Sequence, residues 1–446
     1  MSEAVDLLIR APRVLLPDGE AGCAIGVSDG RIEAIESPGV KLSAARELKF
    51  DDDVVLMPGL VDSHVHICEP GNTEWEGFAT ATRAAAAGGI TTLVDMPLDS
   101  VPTTVDVPAL ELKKKAAESK IHVDVAFWGG VIPGNLDQLA PLWRAGVVGF
   151  KCFLVDSGSP EFPPVDAATM EAALRVVSGL GSPLIVHAES AEVAAGLDTV
   201  PGGSYADYLA SRPRGLENLA VAQLIEAARR TGGHAHVCHL SSSDALPMIS
   251  SVRREGVLVT AETCPHYLTL CAEQIADGET MCKCSPPVRE ADNRELLWEG
   301  LRAQALDLVV SDHSPCTLEM KVGGGGDFAA AWGGISSLQY SLPLVWSGAL
   351  SRGFSLSDVA RWMSEGPARL AGLDAKGSIA AGRDADFCAF APDETTIVDP
   401  ATCHHRNPGT PYDGRVLTGA VRSTILRGEP ADGALPRGRL LKRSRT

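Results

Sequence analysis

Short apolar runs rich in Val, Ile, Leu and Thr alternate along most of this chain with longer Ala- and Leu-rich segments, and no other feature restricts the fold as much. The strand-like runs cover 54–67, 89–96, 121–128, 147–154, 183–189, 234–240, 257–266 and 306–312. Between them lie helix candidates such as "TEWEGFATATRAAAAGG", "VDAATMEAALRVVSGLG" and "NLAVAQLIEAARRTGG", the last two closed by the glycine that often ends a helix. Strand and helix in alternation make βα units around a parallel sheet. Eight such runs predict an α/β protein built on a (β/α)8 TIM barrel. An open doubly wound sheet is the runner-up, but no Gly-rich phosphate fingerprint follows the first run.

The two ends read differently. Residues 5–35, 387–398 and 416–426 are short β-like runs broken by turns such as "PDGE", "SDGR" and "AAGRDADF". They are expected to pair as a small β-sandwich domain formed by both termini, from 1–53 and 375–446, with the barrel over 54–374. A chain of 446 residues has room for this division, because single cores stop growing at roughly 250–300 residues. No repeat of fixed period appears beyond the βα alternation. The patch "VGGGG" at 322–326 reads equally as a flexible loop or as a lid over a site.

A formal net charge of -18 argues against a nucleic-acid surface and an anionic membrane partner, and a small neutral substrate fits it better. The opening "MSEAVDLLIRAP" carries Glu3 and Asp6 and lacks the pattern of a secretory signal, and no apolar run reaches membrane-spanning length, so a cytoplasmic location is expected. Eleven scattered cysteines, an odd number, read as reduced and mostly buried thiols. Cys282 and Cys284 in "MCKCSPP" are too close for zinc-knuckle spacing and have no partner pair.

The chemistry gathers at the C-terminal ends of the strand-like runs, where barrel enzymes keep their active sites. In "MPGLVDSHVHICEPG", His64 and His66 are two residues apart on a strand and so point to the same side. Taken alone they are either half of a metal site or two satisfied imidazoles. Lys151 interrupts the apolar "GFKCFL", where a buried unpaired ammonium is costly. His187 ends "PLIVHAE", His236 and His239 lie in "AHVCHLSS", and Asp312 ends "LVVSDHS". His236 is either a ligand or a supporting core histidine. Imidazole and carboxylate suit a divalent first-row metal such as zinc, whereas a protonated lysine cannot ligate. A lysine converted by carbon dioxide into a carbamate becomes an anionic bridge with two oxygens, and the buried ammonium disappears.

His64-x-His66, Lys151, His187, His239 and Asp312 resemble the ligand set of the amidohydrolase superfamily, in its cyclic-amidase branch of dihydroorotases, hydantoinases or dihydropyrimidinases, and allantoinases. The resemblance covers essentially the whole chain, including "GSIAAGRDADF" near the C-terminus. It implies two divalent metal ions, zinc first, with cobalt, manganese or iron as alternatives. His64, His66 and Asp312 would hold one, His187 and His239 the other, and carboxylated Lys151 would bridge them. His239 is preferred to His236 because it directly precedes "LSS" in the motif. The implied reaction is hydrolytic opening of a cyclic amide by a metal-bridging hydroxide, with Asp312 carrying the proton to the leaving ring nitrogen.

Dihydroorotases typically place Arg and Asn where this chain has Cys68 in "HVHICEPG" and Leu98 in "MPLDS". A thiol and an alkyl group cannot make the charge-assisted bonds that a substrate carboxylate needs. "EPGNTEWEGFATATRAAAAGGITT", "MPLDSVPTTVD", "ETCPHYL", "KCSPPVR", "VSDHSPC" and "AWGGISSLQ" resemble instead the running text of the allantoinase family, which opens (S)-allantoin to allantoate in purine breakdown. Allantoin is a neutral hydantoin ring with a ureido arm. By the same resemblance Ser285 and the backbone at Gly333 are the ring contacts, although a tight turn accounts for either residue without a substrate. His266 in "CPHY" either orients a ligand or substrate or packs in the core. Cys68, Cys152 and Cys238 are expected only to pack, His313 to point away from the site, and His404 and His405 to lie on the surface. Two alternatives stand beside allantoinase. One is a hydantoinase or dihydropyrimidinase, against which "FKCFLVDSGSPEF" lacks the Tyr such enzymes carry after the lysine; the other is a silent scaffold, against which every expected ligand is present. The resemblance further implies a homotetramer.

Overall fold

The computed structural model describes residues 4–197, 202–431 and 435–444, so residues 1–3 of the opening segment lie outside it. In chain order the strands are β1 (Val5–Leu16), β2 (Gly19–Ser28), β3 (Arg31–Glu36), β4 (Ala44–Lys49), β5 (Val55–Pro58), β6 (Leu60–Val65), β7 (Ile90–Asp95), β8 (Asp124–Phe127), β9 (Gly129–Gly130), β10 (Phe150–Phe153), β11 (Leu184–His187), β12 (Ala235–Val237), β13 (Val259–Thr263), β14 (Leu308–Val309), β15 (Phe387–Ile397), β16 (Val416–Leu426) and β17 (Glu429–Pro430).

Every one of the eight strand-like runs contains a strand, and within each of two sheets consecutive strands pair in parallel. β6-β7-β8 form one sheet and β9 to β14 another. The register Phe153↔His187 and Ile185↔His236 carries the chemistry-bearing residues along adjacent strands. These strands are almost continuously apolar because both of their faces are buried, as expected of parallel strands covered by helices. The covering helices show why they form. Asp166 caps the helix Ala167–Gly179 by accepting from the Thr169 amide at 2.7 Å, and Met170, Ala173, Leu174 and Val177 bury one face at helical spacing. Gly232, at φ 69°, ends the helix Gly215–Thr231.

The first strand-like run does not stay in one sheet. It breaks at Gly59 into β5 and β6, where a Cβ would lie 2.4 Å from Thr91 Oγ1, so only glycine lets β7 approach this closely. β5 belongs to the terminal sheet, ordered β17-β16-β15-β5-β1-β2-β3 with β4 beside β1. Both termini therefore meet on β5, with Met57 opposite Cys388 and Val14 beside Leu56. A second hydrophobic cluster, which includes Ile9, Val14, Ile25, Leu56 and Phe387, underlies this sheet. The helix expected over "TEWEGFATATRAAAAGG" is shorter than its alanine content suggests, running only over Phe78–Ala87. The residues before it turn around Glu69, whose Oε2 accepts from the Phe78 amide at 2.8 Å. No helix among the described residues is long and apolar enough to cross a membrane.

Buried ions tie the terminal sheet to the parallel strands. Lys376 Nζ reaches Asp124 and Asp386 at 2.6 Å each and Asp384 at 2.8 Å, and Arg427 also pairs with Asp124. Asp124 opens β8, whereas the other residues flank β15 and β16. An ammonium shared by three carboxylates compensates its desolvation better than one partner would.

Candidate metal centre and its pocket

His64 and His66 leave the end of β6, Lys151 lies within β10, His187 ends β11, and His239 and Asp312 follow β12 and β14. His64, His66, His187, His239 and Asp312 line one cavity of about 750 Å³, and Lys151 is fully buried among the same strands. Within it the side chains meet in two adjoining groups, the rings of His64 and His239 lying 5.2 Å apart. His64 Nε2 and His66 Nε2 lie 3.2 and 3.5 Å from the same Asp312 oxygen, and His187 Nδ1 lies 3.0 Å from His239 Nε2. One ligand atom each from His64, His239 and Asp312 falls within 4.8 Å of the others. Backbone conformation helps aim them. His239 and Asp312 adopt φ of 30° and 45°, a region that non-glycine residues occupy at a cost and that is common where side chains are held for chemistry.

Three of the four imidazoles have their outward nitrogen within ion-pair distance of a carboxylate. Glu262 engages His64 Nδ1, Asp99 Oδ2 lies 2.6 Å from His66 Nδ1, and Glu189 Oε2 lies 2.8 Å from His187 Nε2. Such partners fix ring orientation and raise the basicity of the opposite nitrogen. The carboxylates are anchored in turn. Glu262 also binds His236 Nε2 at 3.0 Å, and Arg212 Nη1 donates to both Glu189 oxygens at 3.0 Å. His236 is thus the supporting histidine and His239 the one that faces the cavity.

The electrostatics follow from this arrangement. Burial depresses His64, His187 and His239 below the usual imidazole range, and the Lys151 ammonium adds to the effect. Burial alone would depress His66 too, but Asp312 and Asp99 raise it to about 9. Against its own burial, Asp312 is held at about 2 by His64 and His66, and Glu189 at about 2 by Arg212 and His187. Lys151 Nζ is buried without a hydrogen-bond partner and lies 4.9 Å from the centre of the Phe153 ring. Inward-facing ring nitrogens, an ionised carboxylate and a partnerless buried amine are what a pair of divalent metals bridged by a carboxylated lysine requires.

Ser285 and Gly333 both line the cavity, and a Cβ on Gly333 would sit 3.5 Å from Ser285 Oγ, so the two are neighbours in its lining. His266 does not reach the cavity surface. It is fully buried, neither ring nitrogen has a partner, and a ligand atom each from it, Cys264 and Asp312 lies within 4.8 Å of the others. His313 points away, with Nε2 at 3.0 Å from Glu76 Oε2. His404 is exposed as expected, but His405 is buried, its ring 5.4 Å from that of His313. The expectation of a surface His405 fails because Asn407 and Arg406 bond the backbone of Glu74, Trp75 and Glu76 and pull this segment onto the turn after β6. The glycine patch at 322–326 follows the short helix Leu318–Val322 beside the cavity wall formed by Met320 and Phe328.

Asp99, Glu189 and Glu262 were missed in the sequence, although Glu189 and Glu262 are carboxylates in apolar strand-like runs and that signal was available. Glu262→Gln keeps the shape but loses the charge that holds His64 and His236. Metal affinity is expected to fall by about 10–100-fold, read as metal retained after dialysis against a weak chelator. Unchanged retention would remove Glu262 from the support of the site.

The amidohydrolase family model matches residues 55–430. An allantoinase of Streptomyces avermitilis is 53% identical, aligned over 98% of this chain and 99% of its own length. An allantoinase of Arabidopsis thaliana is 43% identical over 94% of this chain and 87% of its own. Among solved structures, the L-hydantoinase (dihydropyrimidinase) of Arthrobacter aurescens superposes with a TM-score of 0.93 at 31% identity, covering 98% of this chain and 100% of that one. By the extent of the family match and of these likenesses, the chain belongs to the amidohydrolase family.

Proposed function

We propose that this protein opens the hydantoin ring of (S)-allantoin hydrolytically to give allantoate. The observation that carries the choice of ring is the likeness, over nearly the full length, to proteins named allantoinase in a bacterium and a plant. Leu98 lines the cavity after β7 and Cys68 is buried after β6, and neither offers a cationic donor, in keeping with a neutral ring. The hydantoinase reading draws on the solved-structure likeness, but Phe153 lines the cavity and no tyrosine lies between Lys151 and Phe162.

In this reading His64, His66 and Asp312 would hold one divalent ion and His187 and His239 the other, with Lys151 as a carbamate contributing to both. When bound, such ions lower the pKa of water and polarise the amide carbonyl, and zinc suits the nitrogen and oxygen donors. Asp312 stays ionised, so it can take the proton of the attacking water and pass it to the ring nitrogen as the C–N bond breaks. Ser285 Oγ and the backbone at Gly333 orient the ring from the facing wall. Behind the metal residues, Glu262, Asp99 and Glu189 keep the imidazoles from rotating.

The architecture proposed with this function is a closed (β/α)8 barrel over 54–374. In support, Val148 N donates to Phe127 O at 2.9 Å between the third and fourth runs, and a bridge joins Val65 to His313 between the first and eighth. The terminal segments 1–53 and 375–446 then form a small sandwich around Ile9, Val14, Ile25 and Phe387.

Turnover of allantoin, hydantoin, dihydrouracil and dihydroorotate by the purified, metal-assayed protein tests the reading. Allantoin is expected to give the highest kcat/KM. Faster opening of dihydrouracil or hydantoin would leave the hydrolytic site standing and overturn the substrate.

A further inference from the structure

The cavity that holds the imidazoles is larger than one five-membered ring needs, since volumes of this size take ligands with substantial substituents. Its wall also carries two cations that the sequence did not single out, Arg212, which pairs with the Glu189 that holds His187, and Lys283. Only Nη1 of Arg212 is committed to Glu189; among the described residues Nε and Nη2 have no hydrogen-bond partner, and the guanidinium is 31% exposed. Lys283 Nζ donates once, to Ala331 O at 2.5 Å, and lies 5.5 Å from the centre of the Tyr208 ring. It makes no ion pair among the described residues, and an ammonium has three donors.

The lysine is also held in place. Its own carbonyl accepts from Gly334 N at 3.0 Å and from the buried Lys321 Nζ at 2.7 Å. Lys321 donates as well to Trp332 O at 3.0 Å and to Gly334 O, so one ammonium joins the segment carrying Ser285 to the one carrying Gly333. Tyr208, under Lys283, bonds Cys284 O at 2.7 Å and lies 3.1 Å from Ser285 Oγ. Spare donors on a braced backbone bind with little ordering cost.

Building on the ring-opening reading above, we infer that Lys283 and the free edge of Arg212 form a second binding subsite, which takes a carbonyl or carboxylate oxygen on an exocyclic arm of the ring. The ring lies against the adjoining Ser285 and Gly333, and the arm extends along Lys283, whose Cε is 4.0 Å from the Cβ position of Gly333. Burial and the neighbouring Arg212 charge bring the lysine to about 8, so near neutral pH it is still predominantly a donor cation. The subsite explains how a cavity with an alkyl group at Leu98 can still distinguish a ring with a ureido arm from the bare ring. A hydrogen bond to a charged donor corresponds to roughly 10–100-fold in affinity.

The test compares K283M and K283R with the unaltered protein. It reads KM for allantoin, KM or the competitive inhibition constant for hydantoin, and bound metal. The expected result is that K283M raises the allantoin constant about tenfold or more relative to that of hydantoin, with metal content retained, and that K283R recovers most of the loss. An unchanged ratio in K283M overturns the subsite. If hydantoin binds too weakly to measure, K283R decides, because equal loss in both variants also overturns it. Failure of the unaltered protein to open allantoin at all would instead remove the ring-opening reading on which the subsite rests.

Discussion

Lys151→Ala is expected to lower kcat by at least about 10³-fold, because it removes the group proposed to bridge the metals and with it several kcal/mol of transition-state stabilisation. The structure makes the physical reason local. Lys151 is fully buried in the four-residue β10 and its Nζ has no hydrogen-bond partner. An ammonium left in that state is penalised by desolvation, and conversion to a carbamate replaces it with an anion between ligands. Alanine leaves a space where three methylenes and the amine had been, so added acetate or propionate is expected to restore part of both metal content and turnover. Lys151→Met supplies the control. It fills the space without offering a bridge, so the acid should not rescue it. The same variant is expected to raise the Tm of the metal-free protein, since a buried unpaired charge is replaced by apolar volume. Undiminished turnover in Lys151→Ala would sink the bridge.

Asp312→Asn is the second large effect. Its carboxylate is shared by His64 and His66 at 3.2 and 3.5 Å and is held at about 2 despite burial, which leaves it available as a proton acceptor throughout the neutral range. An amide keeps the volume but cannot accept and redeliver the proton. General acid–base transfer contributes about 10²–10⁴-fold, and kcat is expected to fall by that factor or more, since a ligand charge is lost as well. The affinity for a competitive ring inhibitor should change much less, because the contacts proposed to hold the ring are Ser285 and Gly333, which the substitution leaves in place. A kcat within about tenfold of the unaltered protein would show that Asp312 is not the proton carrier.

Much of this arrangement is legible in the chain itself. Eight apolar runs separated by helical segments point to parallel strands, because strands buried on both faces read as mostly apolar runs rather than as an alternation. Period-two geometry puts His64 and His66 on one side, and the ends of the other runs supply Lys151, His187, His239 and Asp312. What was not legible came from residues that meet across elements. Gly59 divides one apolar run between two sheets because Thr91, from another strand, leaves no room for a Cβ. His405 is buried because its segment bonds a turn more than three hundred residues earlier.

The sequence by itself determined the order of strands and helices and the six side chains that converge at their ends, because periodicity and strand-end position are local properties. Only the tertiary structure decided which carboxylate turns each imidazole, that His236 supports while His239 faces the cavity, and that Arg212 and Lys283 share a wall. Those outcomes depend on distances between side chains from separate loops and strands, and such distances have no period in the sequence from which they could be read.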